Sequence, residues 1–79
     1  MAATATVEFN GNKIKYDKTA VRSYKVQRAL ATPGQGMFDA VDRILLGKSE
    51  EVAESLGDDM QEMTALLTAI AEQEADAKN

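Results

Sequence analysis

Neither cysteine nor histidine occurs in the 79 residues. The first absence excludes disulfides. The second removes a common zinc ligand and the usual base of nucleophilic catalysis. No run approaches the roughly 20 apolar residues that a membrane helix needs. The opening stretch, MAATATVEFNG, lacks a basic segment followed by an apolar one, so no signal peptide is expected there. A soluble, cytoplasmic protein without metal or cofactor is the resulting expectation. The same gaps pose a stability problem. A chain this short buries only about 60% of its unfolded surface, and small domains usually rely on a staple or a partner. Tight helix packing or oligomerisation has to supply what sulfur and metal do not.

Charge is present but unevenly spread around a net −4. Residues 1–35 carry Lys13, Lys15, Lys18, Arg22, Lys25 and Arg28 against Glu8 and Asp17, a balance of +4. Residues 36–79 carry three basic residues and eleven acidic ones, a balance of −8. Such halves either face each other or solvent within one molecule, or point to charged partners and head-to-tail contact between copies.

Along the chain, residues 4–16 read as a β-hairpin. Asn10-Gly11 suits a type I′ turn, which needs positive φ at both central positions. With that loop Phe9 faces Asn12, Val7 faces Ile14 and Ala5 faces Tyr16. Val7, Phe9, Ile14 and Tyr16 then share one face, and Glu8 lies opposite Lys13 on the other. A lone hairpin is marginal in water, so that apolar face must lie on the helices or its edge must pair with another chain. Asp17 is a good N-cap for a basic, weakly amphipathic helix over 18–31, in which Val21, Tyr24 and Arg28 share a side. Thr32-Pro33-Gly34-Gln35-Gly36 holds the only proline and reads as a hinge loop over 32–36.

Most of the large apolar side chains fall between Met37 and Ala71. Gly47 and Gly57 divide that stretch into three helices, spanning 37–75 in all. Met37 to Leu46 has helical spacing with a wide buried face, and Gly47 suits its C′ position. Ser49 is expected to cap a short helix with Glu50 and Glu51 in its first turn. Asp58 is expected to cap the last helix, with Gln61 completing a capping box. Met60, Met63, Leu67 and Ile70 then form a short seam. From Glu72 the apolar positions run out and fraying is expected, with 76–79 as a tail. The predicted fold is a single α+β domain, mainly α: an N-terminal β-hairpin followed by about four helices, long, medium, short and long.

Catalytic chemistry has no foothold. Ser23, Ser49 and Ser55 have no histidine to activate them, so no catalytic residues are assigned. Asp58, Asp59 and Glu62 could approach a hard cation, but they do not follow the calcium-loop spacing and read better as a charged first helical turn. The Thr32–Gly36 loop lacks the Gly-Lys-Ser/Thr ending of a phosphate loop. The basic helix offers Lys18, Arg22, Lys25 and Arg28 as possible electrostatic contacts. Nucleic acid is a poor match, given the acidic second half and no groove-reading motif.

Four features lie in order along the string from Phe38 to Gln73. An apolar helix ends in Leu45-Leu46-Gly47; a short acidic helix follows from Ser49 to Leu56. Asp58-Asp59 leads into a final helix of the form M-x-x-L-L-x-x-I, Met63 to Ile70. This arrangement resembles the C-terminal part of the small tail assembly chaperones of long-tailed bacteriophages. The hairpin VEFNGNKIKYD followed by a basic helix is similar to members of that group as well. The resemblance implies a protein of the host bacterial cytoplasm that keeps a tail component, the tape measure protein, soluble until the tail tube forms. It brings no catalytic residues. Burial of a partner's apolar helix is the expected mechanism. Met60, Met63, Leu67 and Ile70 of the last helix, with Met37 and Phe38 near the hinge, are the partner-binding candidates, although core is the favoured reading of all six, because burying them is what lets so small a domain fold. Self-association is expected too. The rival readings are a small acidic inhibitor of a host defence nuclease complex, of the anti-CRISPR kind, and a nucleic-acid-binding regulator using the basic helix.

Overall fold

The computed structural model describes residues 3–77. Strands β1 (Thr4–Phe9) and β2 (Asn12–Asp17) are followed by helices α1 (Lys18–Arg22), α2 (Tyr24–Leu30), α3 (Gln35–Ile44), α4 (Ser49–Ser55) and α5 (Met60–Ala77). The fold is α+β and mainly α, with one more helix than the four expected.

The hairpin follows from its turn. Asn10 (φ 51°) and Gly11 (φ 81°) supply the two positive φ angles of a two-residue loop. The antiparallel register pairs Phe9 with Asn12, Val7 with Ile14, Ala5 with Tyr16 and Glu8 with Lys13. Val7, Ile14 and Tyr16 are buried, and Phe9 packs against them half-buried. Asp17 ends β2 and caps α1, accepting from the amides of Thr19 at 2.9 Å and Ala20 at 3.2 Å.

The extra helix comes from a break inside the basic segment expected over 18–31. Ser23 is extended (φ −73°, ψ 125°), ending α1 and starting α2. Its amide donates to Ala20 O at 3.1 Å, and its Oγ accepts from the Val26 amide at 3.3 Å. A serine hydroxyl offers the backbone this alternative to continued helix. A straight helix would set Val21 and Tyr24 on one side. With the break, Val21 and Val26 are both buried and Tyr24 is 74% exposed.

The hinge expected over 32–36 is shorter. Gly34 (φ 132°, ψ −168°) is the N-cap of α3, a conformation open to glycine. Gln35 and Gly36 already belong to the helix. Gln35 supports that early start by donating to Asp39 Oδ1, one turn on, at 3.1 Å.

Caps elsewhere shift by one residue from their expected places. The C′ position of α3 falls on Leu46 (φ 59°), not Gly47. Leu46 and Gly47 amides donate to Arg43 O (3.4 Å) and Asp42 O (2.8 Å), the paired bonds of a Schellman closure. Lys48, not Ser49, is the N-cap of α4, and Ser49 Oγ instead donates to Asp42 Oδ1 at 2.8 Å. Gly57 (φ 80°) closes α4, and Asp58 (φ 55°) completes that closure by donating to Ala53 O at 2.7 Å. Asp58 is thereby occupied, and Asp59 caps α5 in its place, accepting from the Gln61 amide at 2.8 Å. A leucine in the left-handed region is costly. Leu46→Gly is therefore expected to stabilise the protein by about 1 kcal/mol, read as a raised urea midpoint at unchanged slope.

All these elements feed one hydrophobic cluster, in which Tyr16, Ile44, Leu45, Leu66 and Ile70 are under 2% exposed. The hairpin is thus part of the core. α5 does not fray at Glu72; it continues to Ala77 because Gln73 and Glu74 bond to the hairpin and α1. Of the expected tail 76–79, Lys78 and Asn79 lie outside the described residues.

Candidate docking groove

With the core closed, an apolar face remains open. A groove of about 470 Å³ lies between α2, α3, α4 and α5. Val41 and Met63, both buried, form its floor. Phe38 (51% exposed) and Met60 (54% exposed) stand at its rim, with Met37 and Leu67 partly buried beside them. Ala53, Thr64, Thr68 and Ala71 also line it and are too short to reach across. The α5 wall runs from Met60 to Ala71, about 16 Å at 1.5 Å per residue.

Of the six partner-binding candidates, Met37, Phe38, Met60, Met63 and Leu67 line this groove. Ile70 does not; it is 1% exposed and belongs to the core. Leu30, Val41, Ala53 and Ala71 add to its apolar lining and were not among the candidates. Leu30 follows the Ser23 break, and its position depends on how α2 is redirected there.

The four basic candidates share no single helix. Lys18 and Arg22 lie on α1, Lys25 and Arg28 on α2. Arg22 is engaged: its Nε donates to Glu74 Oε1 at 3.1 Å. Glu74 is 5% exposed, and its Oε2 accepts from the Tyr16 hydroxyl at 2.6 Å. Gln73 Nε2 donates to the Tyr16 hydroxyl oxygen at 2.8 Å and to Thr6 O at 3.1 Å. Burial, then the bond to Glu74, raises the Tyr16 phenol above its ordinary value. This cluster acts as a clamp of α5 on the hairpin. One sequence signal points to it. Met63, Leu66, Ile70 and Glu74 fall at steps of 3, 4 and 4, so Glu74 occupies the next inward position after Ile70.

Two of the carboxylates considered for a cation have other roles. Asp59 caps α5, and Glu62 Oε2 accepts from Asn10 Nδ2 at 3.1 Å. Among the described residues no three acidic side chains gather in a metal-holding arrangement. No helix among them is long and apolar enough to cross a membrane. Compared with family models, curated proteins and solved structures, the chain matches none.

Proposed function

We propose that this protein is a non-enzymatic helix-binding module. It would shield an apolar helix of a partner in the manner of the tail assembly chaperones it resembles, with the tape measure protein as partner. The observation that carries the reading is the open groove rimmed by Met37, Phe38 and Met60. Phe38 and Met60 are each about half exposed, so covering each gains about 1 kcal/mol. Methionine adapts to differing partner surfaces. A shallow, half-exposed groove suits a partner that must later be released. The nucleic-acid reading has less support, since Glu74 engages Arg22 and Ser23 divides the remaining cations.

The test is coexpression with a phage tape measure protein. The native chain is expected to hold that protein in the soluble fraction and to copurify with it. Phe38→Asp combined with Met60→Asp should fold normally, because both side chains face solvent, and should lose the partner. A tape measure protein equally soluble or insoluble with either form would overturn the reading.

A further inference from the structure

We infer that the groove takes a basic amphipathic helix, its cationic residues lying over the carboxylates at the α4–α5 turn. The inference rests on the docking reading above and adds the charge of the occupant. Three charged residues line the groove, Glu50, Asp58 and Asp59, and all are acidic. Asp58 and Asp59 lie at the turn where Met60 begins α5, and Glu50 lies in the first turn of α4. The lining contributed by Gln27, Leu30, Thr68 and Ala71 is uncharged. Bonding to Glu74 sets Arg22, just before α2, beside the C-terminal part of α5, and Gln27 Nε2 donates to Val21 O at 2.7 Å. The uncharged lining therefore belongs to the opposite end of the groove from Asp58 and Asp59.

Those carboxylates have no cation of their own. Among the described residues the ion pair is Arg22 with Glu74, and none involves Glu50, Asp58 or Asp59. The Asp59 Oδ1 bond to the Gln61 amide leaves its charge in place. An apolar trough about three helical turns long with a one-signed end fits a helix bearing an apolar row and lysines or arginines toward one end. A second copy is a poor occupant. Its basic helix α2 has seven residues and already buries Val26, and one turn on from Tyr24 stand only Gln27 and Arg28.

Two synthetic peptides of about 14 residues test this by titration calorimetry. Both carry leucines at i, i+4, i+7 and i+11. One has lysines beside that row and the other has glutamates. The lysine peptide is expected to bind about tenfold more tightly at low salt. The gap should shrink to about twofold in 0.5 M salt. Combining Glu50→Gln, Asp58→Asn and Asp59→Asn should abolish the preference. Asparagine suits both the left-handed position and the N-cap, so this variant keeps the turn.

Equal binding of both peptides, abolished by Phe38→Asp with Met60→Asp, would overturn the basic-occupant inference and leave the docking reading standing. A lysine preference that survives the triple variant would also overturn it. Binding of neither peptide would count against both readings. A dimer in sedimentation that Phe38→Asp dissolves would make a second copy the occupant, and overturn it as well.

Discussion

Leu66→Ala is expected to cost about 3 kcal/mol, while Leu67→Ala, one residue along, costs under about 1 kcal/mol. The two side chains are chemically identical and share α5. Leu66 is fully buried among the residues of the core, whereas Leu67 is half-buried in the groove wall. Truncating Leu66 removes apolar contacts on all sides and leaves a cavity that neighbouring helices can only partly close. Truncating Leu67 widens a groove that water already reaches. Stability of about 0.05–0.15 kcal/mol per residue is typical of domains, so the Leu66 change removes a large share of what a chain of 79 residues has. The midpoint of thermal unfolding should fall by about 12–24 °C for Leu66→Ala and by only a few degrees for Leu67→Ala. Circular dichroism melts of the two variants decide the matter. Equal losses would mean that the groove wall is as essential to folding as the core, and that no surface is spared for a partner.

That contrast also shows where sequence reasoning stopped. Met60, Met63, Leu67 and Ile70 read as one seam because their spacing of 3, 4 and 3 matches a heptad. The structure divides them between two stripes of one helix. Met63, Leu66, Ile70 and Glu74 face the core; Met60, Thr64, Leu67 and Ala71 face the groove, with Met63 reaching its floor. A helix that is apolar on two sides has no single periodic signal, so the linear pattern merged the stripes. The hairpin was legible to the register, because Asn10-Gly11 permits few turn geometries and the alternation agrees with it. The glycine breaks at Gly47 and Gly57 were legible as breaks, though not to the residue. Leu46 rather than Gly47 took the C′ position, and the closure of α4 used Asp58, which moved the next cap to Asp59. Ser23 was not legible as a break. Serine is tolerated within helices, and the gain that decides against helix here, burial of both Val21 and Val26, exists only once α3, α5 and the hairpin are in place. The same dependence on assembly hides the groove's α2 wall.

Tyr16→Phe is expected to cost about 2 kcal/mol although the ring and its packing are kept. Tyr16 is fully buried, and its hydroxyl donates to Glu74 at 2.6 Å while accepting from Gln73 at 2.8 Å. Without it Gln73 retains Thr6 O. The Glu74 carboxylate, 6% exposed in its side chain, retains only Arg22, whose own side chain is 44% exposed. A buried carboxylate that loses a donor bears the desolvation cost unrelieved. If the clamp works as a unit, Tyr16→Phe and Glu74→Gln will not add. Their double-mutant cycle in urea should show coupling of about 1 kcal/mol or more, and simple additivity would dismantle the network. A second signature lies at alkaline pH. Burial and the bond to Glu74 raise the Tyr16 phenol above 10.0 in the folded state. The folded chain therefore holds that proton more tightly than the unfolded chain does. Its contribution to stability is complete below about pH 10 and is lost as pH rises from there through the folded value. Urea unfolding at successive pH values should show this downturn in the native chain and not in Tyr16→Phe. The same downturn in both would assign the alkaline loss to another group and leave the clamp as packing alone.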